Sequence, residues 1–215
     1  MPPRLLRLAE ESAREAFVAT VSAGGLVIFP TDTVYGLGVR ADRDEPVRRV
    51  YEAKGRPAHL ALPVLVASAE GARKVSTGWT PEAEALAAAF WPGPLTLVLP
   101  AREGLSPLVL AGGRTVGVRM PNQPALLSWL AACDFPLAAT SANRSGEAPA
   151  VRVEELAEEL RAAVDLIVDG GPCPGAVPST VVDVTSSPPR LLRAGPLAEQ
   201  DILRLTAKLS DGASL

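Results

Sequence analysis

Five polar clusters stand at the ends of apolar runs, each beside glycine or proline. They are Thr31/Thr33 within Phe29–Gly38, Lys54-Gly55-Arg56-Pro57, Thr115–Pro121 with Arg119 inside it, Thr140–Gly146 with Ser141 and Asn143, and Ser179–Asp183 followed by Arg193-Ala194-Gly195. Ligands of open α/β sheets sit in the crevice beyond the strand ends. Gathered there, these clusters supply three or four cations, several hydroxyls and an amide. Arginine offers a forked set of donors to phosphate or carboxylate, lysine a point charge, Ser and Thr a hydroxyl, and Asn an amide. That inventory suits a polyanion, with a nucleoside triphosphate as the first candidate. The sequence holds no G-x-x-x-x-G-K-[ST] loop, no G-x-G-x-x-G and no kinase signature, so such a nucleotide would need a less common architecture.

Each cluster also has an ordinary reading. Thr31 and Thr33 can satisfy their own turn. Lys54 and Arg56 can close a helix against its dipole. Arg119 can be a surface arginine at a strand end. Ser141 and Asn143 can cap a helix or make a turn, Ser179 and Thr180 can open an edge strand, and Arg193 can snorkel. Their common position at element ends favours one shared pocket.

The elements that would hold them are legible in periodicity. Ala13, Phe17 and Val21 predict a helix over 9–22, ended by Gly24-Gly25. Leu26–Phe29 reads as a buried strand stopped by Pro30, with a second β-prone run leaving the threonine loop. Helices are expected over 44–54, 81–90, 124–132, 153–163 and 198–209. Further strands are expected at Leu62–Val66, Leu95–Leu99, Thr115–Val118, Leu137–Ala139, Leu166–Val168, Thr180–Val184 and Leu191-Leu192. Pro63 marks Leu62–Val66 as an edge or an irregular start. Strands and helices interleave without strict βαβ alternation, which predicts an α/β fold with a mixed sheet.

Composition narrows the function. The 215 residues are 47% hydrophobic but only 4% aromatic, so Ala, Val and Leu must build most of the core. Mean hydropathy is +0.19 and net charge −3, which argues against gripping DNA by bulk charge. His59 is the only histidine, so a His-rich metal site is excluded; a Ser-His-Asp triad could use only His59, no G-x-S-x-G elbow accompanies it, and an exposed loop position is expected for it. No protein metal ligands are assigned. Cys133 and Cys173, far from CxxC spacing, fit a reducing compartment. The N-terminus lacks a signal-peptide core, and no run reaches the ~20 apolar residues of a membrane span. A cytoplasmic protein is expected, of one domain over 1–215 with its core at about 10–208 and a frayed tail after Lys208.

Six motifs in order, Pro30–Gly36, Lys54–Pro57, Trp91–Thr96, Val118–Pro121, Thr140–Gly146 and Pro178–Asp183, resemble the YrdC/TsaC family of L-threonylcarbamoyladenylate synthases. The likeness covers about residues 10–200 and fits a short, single-domain form. It implies a twisted, open mixed sheet with flanking helices around a basic concave cavity. It implies a nucleotidyltransferase that makes threonylcarbamoyl-AMP and pyrophosphate from L-threonine, bicarbonate and ATP, with Mg²⁺ accompanying ATP. The product would pass to a tRNA threonylcarbamoyl-transferase complex for N6-threonylcarbamoyladenosine at tRNA position 37, with weak RNA contact as a secondary expectation. Carried over by motif, Thr33, Arg119 and Ser179 would hold threonine, and Lys54, Arg56, Thr115, Ser141, Asn143 and Arg193 would hold ATP, with Lys54 and Arg56 catalytic. Leu60 and Leu65 stand where many relatives carry polar residues. Two rivals belong to other classes: an RNA-binding module, disfavoured by the acidic charge, and a carbamoyl-transfer module of hydrogenase maturation, whose zinc-finger cysteines are absent here.

Overall fold

The computed structural model describes residues 2–175 and 177–212. Elements follow in the order β1 (Arg4–Arg7), α1 (Glu11–Ser22), β2 (Val27–Phe29), β3 (Gly36–Arg40), α2 (Asp44–Lys54), β4 (Val64–Leu65), α3 (Ala69–Val75), α4 (Pro81–Phe90), β5 (Leu95–Pro100), β6 (Thr115–Arg119), α5 (Pro124–Ala132) and β7 (Leu137–Ser141). A 3₁₀ turn at Val153–Glu155 precedes α6 (Glu158–Ala163), β8 (Leu166–Asp169), β9 (Thr180–Asp183), β10 (Arg190–Arg193) and α7 (Glu199–Gly212). All ten strands join one mixed sheet in the order β1-β8-β2-β3-β7-β4-β6-β5-β9-β10.

Alternation along β2 explains the layering, because successive side chains point to opposite faces. Val27 and Phe29 face α1 and α5, where Phe17 packs edge-on against Phe29 at 5.6 Å and lies 5.2 Å from Trp129. Leu26 and Ile28 face the other layer with Val47, Val50 and Leu160. A third cluster seats Leu86 and Ile202, from α4 and α7, on Leu95, Leu97, Leu99 and Val182. Four of the nine aromatics, Phe17, Phe29, Trp129 and Phe135, gather in the layer of α1 and α5.

The sequence reading needs four corrections. The strand at Leu62–Val66 shrinks to two residues and lies between β7 and β6, not at an edge. Pro63 is tolerated there because it precedes the ladder, its carbonyl accepting from Ala139 N at 2.8 Å. The helix expected over 153–163 is broken, with Leu156 extended at φ −66°, ψ 127°, and both Leu156 and Leu160 are buried. Two elements escaped notice: β1, a short edge strand, and α3, whose N-cap Ser68 accepts from Gly71 N at 3.1 Å. The tail is helical as far as Gly212, while residues 213–215 lie outside the described residues.

The threonine loop is launched by a tight joint. A Cβ on Gly38 would stand 2.7 Å from Phe29 Cε1 and 3.3 Å from Leu137 Cδ2. Phe29 is fully buried against the rings named above, so it has little room to yield. Gly38→Ala should therefore lower the urea-unfolding free energy by about 1–3 kcal/mol, the usual cost of overpacking.

Candidate active site

The strand ends meet at one rim. Sheet register pairs Leu65 with Arg119, Arg119 with Thr96, Thr96 with Val181 and Val181 with Arg193, a row across five strands. On the other side Gly36 pairs with Ser141. All seven residues line a cavity of about 280 Å³. Its floor and one wall are apolar, with Leu62, Pro63, Leu65 and Val98, and its described lining contains no Asp or Glu.

Thr31 is spent on its own loop: its hydroxyl donates to Val34 O at 2.7 Å and accepts from Thr33 N and Val34 N. That is the ordinary turn reading, realised for one threonine of the two. Thr33 Oγ1 instead accepts from Arg119 Nη1 at 3.0 Å. Arg119 also donates Nε–H to Gly93 O at 3.2 Å and Nη2–H to Asp32 Oδ1 at 2.6 Å, and is only 7% exposed. Burial lowers its pKa, with the Asp32 charge opposing that shift.

On the opposite wall Arg193 donates from Nε and Nη2 to Ser179 O at 3.0 and 2.8 Å, and from Nη2 to Ser179 Oγ at 3.1 Å. Ser179 Oγ lies 2.8 Å from Thr96 Oγ1 in a buried hydroxyl pair. Arg56, beyond the left-handed Gly55 that caps α2, is held by Leu60 O at 3.0 Å and Ala61 O at 2.8 Å. The Arg56 and Arg193 pKa values are both lowered, mainly by burial, and Arg56 depresses Arg193 further. Two guanidiniums that repel each other in a half-buried hollow attract an anion.

Lys54 stands behind this wall. The residue is 2% exposed, and its ammonium donates to Ser141 O and Asn143 O, with Asn143 Oδ1 at 3.4 Å. Ser141 Oγ donates to Asn143 Oδ1, and Asn143 Nδ2 donates to Arg144 O and Glu147 O. The ammonium is pushed down to about 7 by burial, helped by the Arg56 charge and opposed by Glu147.

The Sua5/YciO/YrdC family model, described as telomere recombination, matches residues 19–195. The threonylcarbamoyl-AMP synthase of Pyrococcus abyssi is 42% identical over 189 residues, 88% of this chain and 56% of the relative. That of Bacillus subtilis is 43% identical over 179 residues, 82% of this chain and 51% of the relative. The chain belongs to the Sua5/YciO/YrdC family. It spans about half the length of these two relatives. The crystal structure of P. abyssi Sua5 complexed with L-threonine matches at TM-score 0.89 and 40% identity, over 95% of this chain and 61% of that one. The expected α/β architecture, an open mixed sheet with flanking helices of the YrdC type, is thereby established.

Within this YrdC-type cavity, Thr33, Arg56, Arg119, Ser141, Ser179 and Arg193 line the wall as the sequence predicted. Lys54 and Asn143 do not: their polar groups are consumed in binding α2 to the end of β7, so their contact with the cavity is indirect. Thr115 is a miss. It shares a face with Gly117 and Arg119, but pairs with Pro100 at the far end of β6, exposed and off the cavity. His59 is exposed as expected, and Leu60 is 38% exposed away from the lining, while Leu65 is part of the wall. Sequence reasoning overlooked Thr96 and Asp32, although both sit inside motifs it singled out. Among the described residues there is no cluster of three His, Cys, Asp or Glu fit for a metal, and no helix is long and apolar enough to cross a membrane.

Two outcomes follow for Lys54 and Thr115. Below about pH 7 folded and unfolded chains both hold the Lys54 proton, and the burial penalty is complete. Between about 7 and the ordinary value of 10.5 only the unfolded chain holds it, so stability climbs with pH through that window. Urea unfolding should show the unmutated chain gaining on Lys54→Met as pH rises from about 7 to 10, the window set by the two pKa values. Thr115→Ala should leave the urea-unfolding free energy within about 0.5 kcal/mol, as expected of an exposed surface change.

Proposed function

We propose that this chain is a threonylcarbamoyl-AMP synthase, joining L-threonine, bicarbonate and ATP with release of pyrophosphate. One observation carries the reading: Arg56, Arg119 and Arg193 line a single cavity together with the hydroxyls of Thr33, Thr96, Ser141 and Ser179, with no carboxylate in the described lining. The names of the relatives and the threonine in the P. abyssi complex support it.

The chemistry follows from charge. Threonine's amine and bicarbonate give an N-carboxylate and water. A carbamate oxygen attacks the α-phosphorus of ATP, and the bond to the β-phosphate bridging oxygen breaks, that oxygen leaving with its electron pair as pyrophosphate. Both partners are anions, and two unit charges about 4 Å apart repel by about 4 kcal/mol at an effective dielectric of about 20. Positioned cations offset that repulsion without reorganising during the step. Arg119 with Thr33 pairs with the threonine carboxylate, and Ser179 and Thr96 offer hydroxyls beside it. Arg56 and Arg193 take the phosphates, and Ser141 donates from the third side. Lys54 keeps Ser141 and Asn143 in place rather than touching phosphate. The described lining holds no carboxylate for Mg²⁺, so an ion accompanying ATP would draw its ligands from phosphate oxygens and water, and no protein ligand is assigned to it. No general base is required once the carbamate exists. By the same reading the product goes to the complex that modifies adenosine 37 of tRNA, and the enzyme works in the cytoplasm.

The purified chain should release pyrophosphate only when threonine, bicarbonate and ATP are all present, with threonylcarbamoyl-AMP identified by mass spectrometry. Arg56→Ala and Arg193→Ala should each cut kcat/KM by about a hundredfold or more while circular dichroism stays unchanged. Pyrophosphate release that ignores threonine but responds to carbamoyl phosphate would reject the assignment.

A further inference from the structure

Asp32 belongs to the threonine loop, yet nothing above gives it a task. Its Oδ1 accepts from Arg119 Nη2 at 2.6 Å, in a pair whose side chains are 8% and 11% exposed. Its Oδ2 is buried and has no hydrogen-bond partner among the described residues. Asp32 is absent from the cavity lining, so it acts through Arg119 and not on a ligand directly. A buried carboxylate with an unsatisfied oxygen is costly, which turns attention to what it does for its partner.

A guanidinium has five N–H donors. In Arg119 three are engaged, by Gly93 O, Thr33 Oγ1 and Asp32 Oδ1. Among the described residues no acceptor takes the other two, enough for one forked contact with a carboxylate. The other lining arginines differ. Arg56 and Arg193 are held by backbone carbonyls and the Ser179 hydroxyl, and among the described residues neither has a carboxylate partner. The loop carrying Asp32 is clamped from outside as well, since a Cβ on Gly175 would stand 2.7 Å from Thr33 Cα and 2.9 Å from Asp32 O.

We propose that Asp32 is a positioning residue that divides the cavity by charge. It fixes the Arg119 guanidinium with two donors free, and it compensates that one cation so the Arg119 end takes a singly charged carboxylate while phosphates go to Arg56 and Arg193. This rests on the reading of Arg119 as the threonine carboxylate site. Asp32→Asn keeps the shape and removes the charge. It should raise the KM for threonine about tenfold, the scale of one charge-assisted hydrogen bond, and leave the KM for ATP within about twofold. It should also make inorganic phosphate a competitive inhibitor against threonine, which in the unmutated chain competes only with ATP. Asp32→Glu should recover part of the threonine KM.

Arg119→Gln separates the two levels of the argument. If it leaves the threonine KM unchanged, the carboxylate site itself is misplaced and this inference falls with it. If Arg119→Gln raises that KM but Asp32→Asn does not, or lowers it, the inference alone is overturned. Threonine and ATP KM values moving together with a loss of thermal stability would mark a structural role and overturn it too. Should the variants not fold, side-chain ¹⁵N resonances of the unmutated chain still decide. A held Arg119 shows hindered rotation of its guanidinium before threonine is added, and free rotation refutes the proposal.

Discussion

Guanidinium ions brought out of water must be given acceptors, and here the acceptors are mostly backbone carbonyls. Gly93 O serves Arg119, Leu60 O and Ala61 O serve Arg56, and Ser179 O serves Arg193. A carbonyl is free for such service only where the sheet or helix ladder has stopped using it. The cations are therefore confined to the places where strands and α2 end. Those ends can share one rim because the register of β4, β6, β5, β9 and β10 lines up Leu65, Arg119, Thr96, Val181 and Arg193.

The remaining architecture keeps that rim rigid. Three apolar clusters fix the strands from both faces. Tyr35, fully buried just before β3, donates to Gly171 O at 2.7 Å and accepts from Gly170 N, tying the threonine loop to the segment leading to Ser179. Burial raises the Tyr35 pKa well above its ordinary value, so the phenol stays a donor. The Lys54 ammonium does the equivalent on the other side, joining α2 to the end of β7. A cavity built this way has little freedom to adjust to a misplaced donor.

Much of this was legible in the sequence. Periodicity found α1, α2, α4 and α5 because each carries a clear apolar stripe or a proline start. The six motifs identified the family because each puts polar residues at the end of a strand or helix. What escaped depends on facts that no local window contains. Leu156 interrupts its helix because core packing claims it, overriding propensity. Thr115 obeys the two-residue alternation that puts it on the Arg119 face, but alternation says nothing about how far along the strand the cavity reaches. Thr96 became visible only through its partner Ser179, 83 residues later. Lys54 looked like a helix-end cation, and only the fold reveals that the chain closes over it.

The distribution of charge has one more effect. The chain as a whole is negative, at −3, although three of its cations are withdrawn into the hollow, so the remainder is more negative still. Outer surface and inner wall thus oppose each other in sign. Such an arrangement sorts anions by bulk: a small one that fits the mouth meets attraction, whereas an extended polyphosphate chain meets repulsion along most of its length before any part of it reaches the arginines.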